Sequence, residues 1–269
     1  MRNGIWPAAT VAAFAFVVAQ ATAQPAAKGD VPDFSGFWQK AGDYASTFEQ
    51  PDSGPGPVVD PKPHPNGGIP WIGDYTNPIL KPKAAAAVKA TGDRILGGQE
   101  DLPAYSLCWP SGVPQALNLR EPVQFLQTPS LITMIYQRDH QVRRIYLNEP
   151  HSKNPPKTWY GESVGHYEGK DTLVVDTIGL NDKTETDKFG TPHSDKMHVI
   201  ERYRLIDGGK AMRVDFTVDD PVMFNMQWSA KANYTRARGP VEEIICAENN
   251  RAISTGRDYP IPVAVKADF

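Results

Sequence analysis

The sequence contains little cysteine and little net charge. Of its 269 residues two are cysteines, and 28 lysines and arginines nearly balance 31 aspartates and glutamates. Proteins that bind nucleic acid or anionic membrane surfaces normally carry a clustered basic excess, so the balance argues against both kinds of partner. A hydrophobic fraction of 40% and a charged fraction of 22% also argue against disorder for the body of the chain.

Motifs for common cofactors are also missing. The chain has no glycine-rich phosphate loop, no dinucleotide-binding fingerprint and no Cys-x-x-Cys-His haem attachment, so no cofactor is predicted. His193, His198 and Glu201 have a spacing found among metal ligands. Strand alternation would place His198 and Glu201 on opposite faces, however, so no metal is predicted. Residues 161–165 match Gly-x-Ser-x-Gly, but a strand pattern follows where a nucleophile elbow needs a helix, which argues against a serine hydrolase.

The longest apolar run lies at the N-terminus. Arg2 precedes an apolar stretch over residues 8–19, and Ala21 and Ala23 form a small-x-small cleavage pattern. This arrangement predicts a signal peptide over residues 1–23, with a membrane anchor as the alternative. The run is too short for a bilayer, which takes about 20 helical residues. We therefore expect a periplasmic or secreted protein without a stable membrane anchor.

The two cysteines, Cys108 and Cys246, are far apart in the chain. In an exported protein an even pair of cysteines predicts one disulfide. Two buried free thiols or a nucleophilic cysteine are the alternatives. Cys108 lies beside Trp109 and Pro110 with no basic residue nearby in sequence to lower its pKa, which argues against the nucleophile.

Proline and glycine are abundant, with 25 and 22 residues, and they favour turns and short strands. Residues 24–104 are predicted to form a Pro/Gly-rich arm with a first strand. Its aromatic Trp71 would be unusual in a free linker, so we expect the arm to wrap the rest of the protein. Pro82 and the alanines after it predict one helix over residues 82–96. Residues 105–269 contain short alternating runs joined by hairpin turns, which predict an antiparallel β domain.

A meander of about eight to ten short strands must close or stack to cover its edges. Gly36-Phe37-Trp38 on the first predicted strand resembles the Gly-x-Trp signature of lipocalin-type barrels, in which the tryptophan fills the closed end. An ordinary core tryptophan is the alternative. The predicted fold is therefore mainly β: an antiparallel meander closed into a lipocalin-like barrel or a strongly curved sheet, with the Pro-rich arm and one short helix.

A second resemblance lies in residues 159–177, WYGESVGHYEGKDTLVVDT. This stretch is similar to the Trp-x-Gly-Asp-Ser and Trp-Glu-Gly-Asp-Thr motifs of a large group of exported bacterial proteins. Glu162 replaces the aspartate, Tyr167 replaces the second tryptophan, and Lys170 is an extra residue in the turn. The resemblance extends over roughly residues 105–255 and implies export and a β-rich fold. The group carries no established mechanism, so no catalytic residue is transferred from it.

Glu201 is the sharpest site candidate in the sequence. It shares a predicted strand face with Val199, Tyr203 and Leu205, so it should point inward. Desolvation raises the pKa of a carboxyl group and suits it to acid–base chemistry. We expect His193 or His166 to lie close enough to pair with Glu201 and complete a catalytic set. The alternatives are a structural Glu201 paired with an arginine, and a His166 that only joins a salt bridge at the rim.

Two functions are consistent with these residues. The first, which we favour from the sequence, is an exported cofactor-independent enzyme (a lyase, isomerase, cyclase or hydrolase) that acts on a small, largely apolar or aromatic molecule. Tyr203, Tyr160 and Trp228 are its predicted substrate contacts. The second is a non-catalytic periplasmic binding protein for a lipophilic small molecule. A carboxylate close to a histidine favours the enzyme, and an apolar lining favours the binding protein.

The disulfide gives a direct test. Thiol counting on denatured protein that has not been reduced should find no free thiol, because both cysteines are expected in one bond. Two free thiols in that assay would contradict the disulfide and weaken the expectation of export.

Overall fold

The computed structural model describes residues 31–42, 47–62, 72–99, 104–237 and 242–248. The predicted signal peptide and Trp71 lie outside these ranges. Nine strands of the described residues form a closed barrel in chain order: β1 (Gly36–Lys40), β2 (Val123–Gln127), β3 (Leu131–Tyr136), β4 (Val142–Leu147), β5 (Glu162–Glu168), β6 (Thr172–Ile178), β7 (His198–Ile206), β8 (Ala211–Asp219) and β9 (Trp228–Arg236). The first strand closes the barrel by pairing with both β2 and β9. The predicted class, mainly β with a closed barrel, is confirmed.

One strand pair of the barrel, β4–β5, is parallel. The sequence predicted an antiparallel meander, and the difference has a geometric cause. Strand direction reverses at every antiparallel pair, so a closed ring with an odd number of strands needs at least one parallel pair. Parallel neighbours need a crossover of a dozen or more residues, and residues 148–161 supply it. We call the β4–β5 pair the seam.

Side chains from alternating positions fill the interior of the barrel. Trp38 is fully buried, and its Nε1 donates a hydrogen bond to the Phe34 carbonyl at 2.8 Å. The Arg236 guanidinium lies 4.0 Å from the centre of the Trp38 ring. This cation–π contact connects the last strand to the first. Tyr234 of β9 donates to the Leu117 carbonyl at 2.6 Å and so anchors a buried turn against the barrel.

The helix α1 (Pro82–Leu96) confirms the predicted range of 82–96. Pro82 fits the first turn, because the missing N–H of proline has no intrahelical partner there. Ala84, Val88 and Thr91 lie on its buried face. A Cβ atom on Gly73 would lie within 3.0 Å of the Val88 side chain, so the segment before the helix packs tightly against it. The described residues contain no helix with the length and apolar character needed to cross a bilayer.

A disulfide joins Cys108 to Cys246, with the two Cα atoms 5.5 Å apart. The predicted disulfide is therefore confirmed, and no free cysteine remains in the described residues. The Cys246 amide also donates to Asp139 Oδ1 at 2.7 Å. In the chain-entropy view, closing so long a loop stabilises the native state by about 4–5 kcal/mol.

The β6–β7 connection, residues 179–197, is organised by the buried carboxylate of Asp187. Its Oδ1 accepts hydrogen bonds from the Phe189 amide at 2.9 Å and from the Thr191 amide at 3.3 Å. Burial nevertheless dominates and raises the pKa of Asp187 to about 6. The folded protein therefore binds this proton more tightly than the unfolded chain, in which the pKa is 3.8.

The Asp187→Asn variant tests this assignment. The stabilisation from a raised carboxyl pKa is complete below the unfolded pKa near 4 and is lost as the pH rises through about 6. Asparagine keeps the Oδ1 acceptor and removes the buried charge. At pH 7.5 the variant should have a higher free energy of unfolding, by up to about 3 kcal/mol. The difference between variant and wild type should fall to near zero at pH 4 in urea titrations. If the difference in free energy of unfolding between variant and wild type were the same at pH 4 and pH 7, that result would contradict a raised pKa of Asp187.

Candidate functional site

An ion pair between Arg143 of β4 and Glu201 of β7 lies inside the barrel. The two side chains are 1% and 0% exposed. Strand alternation explains both positions, because Arg143 shares the buried face of β4 with Ile145 and Leu147. Nη1 of Arg143 donates to Glu201 Oε1 at 2.9 Å and Nη2 donates to Oε2, so the contact is bidentate.

The remaining N–H groups of Arg143 are also used. Nε donates to Ser163 Oγ at 3.1 Å, Nη2 to Thr177 Oγ1 at 2.8 Å, and Nη1 to the Tyr203 hydroxyl at 3.4 Å. The Tyr203 hydroxyl in turn donates to Glu201 Oε1 at 2.7 Å. A guanidinium has five N–H donors, so Arg143 has none left for a ligand.

The surroundings of Arg143 and Tyr203 keep both side chains protonated. Burial alone would disfavour the charge of Arg143. The Glu201 carboxylate outweighs burial, however, and holds the pKa of Arg143 well above its ordinary value. Burial, reinforced by the charge of Glu201, raises the pKa of Tyr203 well above its ordinary value. Tyr203 therefore remains a neutral donor, and the cluster is a closed network with no net charge.

Glu201 faces inward, as predicted, but its surroundings differ from the prediction. Its hydrogen-bond partners among the described residues are Arg143 and Tyr203. The expected acid–base set of Glu201 with His193 or His166 is not assembled. The alternative in which an arginine pairs with an inward Glu201 describes the structure.

His193 is buried in the β6–β7 connection. Its Nδ1 lies 3.1 Å from the Ser194 carbonyl, and its Nε2 lies 2.8 Å from Thr184 Oγ1. A carbonyl can only accept, so Nδ1 donates and Nε2 accepts from the threonine hydroxyl in the neutral ring. Burial lowers the pKa of His193, which favours that neutral form. Both ring nitrogens are thus occupied by neighbours along the chain.

His166 lies on the outer surface of β5. Its Nε2 is 3.4 Å from Glu168 Oε1, and the Arg202 guanidinium bonds the same carboxylate. All three side chains are about half exposed. This is the salt bridge that was the alternative for His166, and it lies on the opposite side of the barrel wall from Glu201.

The three predicted substrate contacts occupy different environments. Tyr203 belongs to the closed network around Arg143. Trp228 is 1% exposed and packs edge-on against Phe224, with the ring centres 5.7 Å apart. Tyr160 lines a surface pocket. Strand alternation predicts which side chains point inward, but it does not separate core residues from pocket residues.

That pocket, with a volume of about 440 Å³, lies at the seam. Its lining comes from residues within 141–146 and 156–163, together with Pro110. The parallel pairing begins only at Ile145↔Ser163 and continues for two further pairs. Because parallel strands enter the sheet from the same end, the earlier residues of β4 and the crossover can diverge there and leave an opening. We call this opening the seam pocket.

Aromatic side chains form the wall of the seam pocket, and other rings support them. Trp159 packs against Trp109 with the ring centres 5.4 Å apart. Tyr160 stacks on buried Tyr136 with the ring centres 5.6 Å apart and the planes within 10°. The Tyr160 hydroxyl also donates to Gln141. These contacts fix the orientation of both rings before any ligand arrives.

Glu162 is the carboxylate of the lining, and it is held by the crossover. Its Oε1 accepts from the Ser152 amide at 2.7 Å, and its Oε2 accepts from the Ser152 hydroxyl at 2.5 Å. His151 Nδ1 lies 3.1 Å from Oε1. Burial works to raise the pKa of Glu162, but the bonds from Ser152 and His151 outweigh it and lower the pKa. Within the described residues, no group of three His, Cys, Asp or Glu is arranged to hold a metal ion.

The Glu201→Gln variant tests whether the Arg143 network is structural. The change should lower the free energy of unfolding by about 3–5 kcal/mol, because it leaves the arginine charge buried and unpaired. Replacing both partners, Arg143→Met with Glu201→Leu, should recover most of that loss. The control is Glu168→Gln, which breaks an exposed pair and should cost less than about 1 kcal/mol. Chemical denaturation of the oxidised protein measures all three. Equal losses for Glu201→Gln and Glu168→Gln would contradict the structural role.

Comparisons with known proteins add no assignment to this geometry. Scans against protein-family models, curated proteins and solved structures give no match to the chain. The seam pocket and the residues that line it are therefore the features from which a function can be inferred.

Proposed function

We propose that this chain is an exported protein that binds a small, largely apolar aromatic molecule in the seam pocket without turning it over. The observation that carries the proposal is a wall of supported aromatic rings around a pocket of about 440 Å³. Pockets for small molecules usually span roughly 300–1,000 Å³ and combine apolar walls with few polar groups.

The chemistry of the lining supports binding over catalysis. General acid–base catalysis works best with a group whose pKa lies near the working pH. The pKa of Glu162 is lowered by its bonds from Ser152 and His151, which outweigh its burial, and burial raises the pKa of Tyr160 well above its ordinary value. Neither group is suited to exchange a proton near neutral pH. The histidines expected to complete a catalytic set with Glu201 bond other residues.

The disulfide supports the exported location in this proposal. A disulfide across 138 positions of the chain persists most readily in an oxidising compartment. The predicted signal peptide over residues 1–23 and the resemblance to exported bacterial proteins point the same way. These observations support the proposed location in the periplasm or outside the cell.

The proposal predicts that neutral or anionic two-ring aromatics bind the oxidised protein. Tyr146 is the best position to test, because it lines the seam pocket and is 41% exposed, so its loss should barely affect folding. Tyr146→Ala should weaken binding of naphthalene-2-carboxamide or naphthalene-2-carboxylate roughly tenfold, since one aromatic contact is lost. Isothermal titration calorimetry gives the affinities.

The matched control is Ile206→Ala, which truncates another exposed apolar side chain at the far end of β7. It should leave the affinity unchanged. The proposal fails if neither ligand binds wild type at millimolar concentration, or if the two variants weaken binding equally.

A further inference from the structure

The charges that line the seam pocket differ in whether they already have partners. Arg143, Arg144 and Glu162 are the charged side chains of the described lining. Arg143 donates all five of its N–H groups inside the barrel, and its charge is balanced by Glu201. It can therefore attract a ligand only weakly.

Glu162 is also occupied. Both of its oxygens accept hydrogen bonds from Ser152, and His151 contacts Oε1. These hydrogen bonds use acceptor sites of Glu162 but leave its negative charge in place. Glu162 therefore offers a ligand fewer free acceptor sites, and its charge disfavours an anionic group placed next to it.

Arg144 is the charged side chain of the described lining that has no protein partner. It lies on the outer face of β4, between Val142 and Tyr146 on the same face. The residue opposite Arg144 on the neighbouring strand β3 is the uncharged Thr133. The Arg144 side chain is exposed, and it makes no hydrogen bond or ion pair with another described residue. Some arginines on the outer faces of other strands pair with carboxylates.

Two of those other arginines show the contrast. Arg202 bonds Glu168 at 2.5 Å, and Arg213 bonds Asp215 at 2.6 Å. The carboxylate lies on β5, two strands away, in the first pair and on β8 itself in the second. Arg144 bonds no described carboxylate and lies beside the aromatic wall of the seam pocket.

Building on the binding function proposed above, we infer that the seam pocket selects an aromatic carboxylate, and that Arg144 is the residue that determines this preference. A guanidinium matches a carboxylate with two parallel N–H···O bonds, a geometry that an ammonium group does not offer. The ring of the ligand would contact the aromatic wall around Trp159 and Tyr160, while its carboxylate meets Arg144 at the edge of β4.

The magnitude follows from where Arg144 lies. A fully exposed ion pair contributes little, but hydrogen bonds to charged groups that are partly shielded from water are stronger. We expect a preference of roughly tenfold for the carboxylate over an uncharged ligand of the same shape, and we expect salt to reduce it.

The test compares naphthalene-2-carboxylate with naphthalene-2-carboxamide, which has nearly the same shape and no charge at pH 7.5. Calorimetry on the oxidised full-length protein should give the tenfold preference for wild type. Arg144→Gln should remove the preference, because it should weaken binding of the carboxylate and leave the affinity for the carboxamide within about twofold of wild type. Arg144→Lys should retain only part of the preference, because it keeps the charge without the bidentate geometry.

Arg204→Gln is the control, because it removes an exposed arginine on β7 outside the lining. It should keep the full preference, and circular dichroism should show all variants folded. Equal affinities of wild type for the two ligands would overturn the role of Arg144 while supporting the binding proposal. A preference that persists in Arg144→Gln would also overturn it. Failure of both ligands to bind would instead contradict the proposed function on which this inference depends.

Discussion

A closed ring of antiparallel strands needs an even number of members, and this barrel has nine. That count requires a parallel pair, which here is the seam between β4 and β5, and a parallel pair in turn requires a crossover, which residues 148–161 provide. Gly161 allows the crossover to enter β5. Its φ is +64°, and a Cβ atom there would lie 2.4 Å from the Ile178 carbonyl oxygen. Strand parity therefore requires a parallel pair, and the seam pocket lies at the pair that meets this requirement.

The seam has little backbone pairing, and the buried network compensates for this from inside the barrel. The β4–β5 pair has three registered residue pairs, whereas β7–β8 has nine. The guanidinium of Arg143 reaches from β4 to Ser163 on β5, Thr177 on β6 and Glu201 on β7. It thus connects the two sides of the seam through side chains. Because desolvation offsets much of the ionic attraction, we expect the network to act mainly by holding these strands in one register.

Local pattern predicted much of the fold, and tertiary geometry decided the rest. Proline and alanine content gave the range of α1, and alternation placed Glu201 inside. The same alternation could have placed Arg143 inside, since Ile145 and Leu147 share its face. It could not predict that Arg143 would reach Glu201 across two intervening strands, because that depends on barrel closure. His193 was expected beside Glu201, but the turns that take it into the β6–β7 connection are set by buried polar contacts such as those of Asp187.

The adjacent arginines of β4 show how one local rule separates structure from function in this barrel. Successive side chains on a strand point to opposite faces. Arg143 enters a low-dielectric interior, where an unpaired charge would be very costly, so it needs Glu201 and a full set of acceptors. Arg144 remains at the surface, where solvation by water stabilises a guanidinium that has no ion-pair partner. A ligand that carries its own carboxylate can therefore gain the contact with Arg144 without breaking an existing ion pair, and this gives the seam pocket its expected preference for aromatic acids.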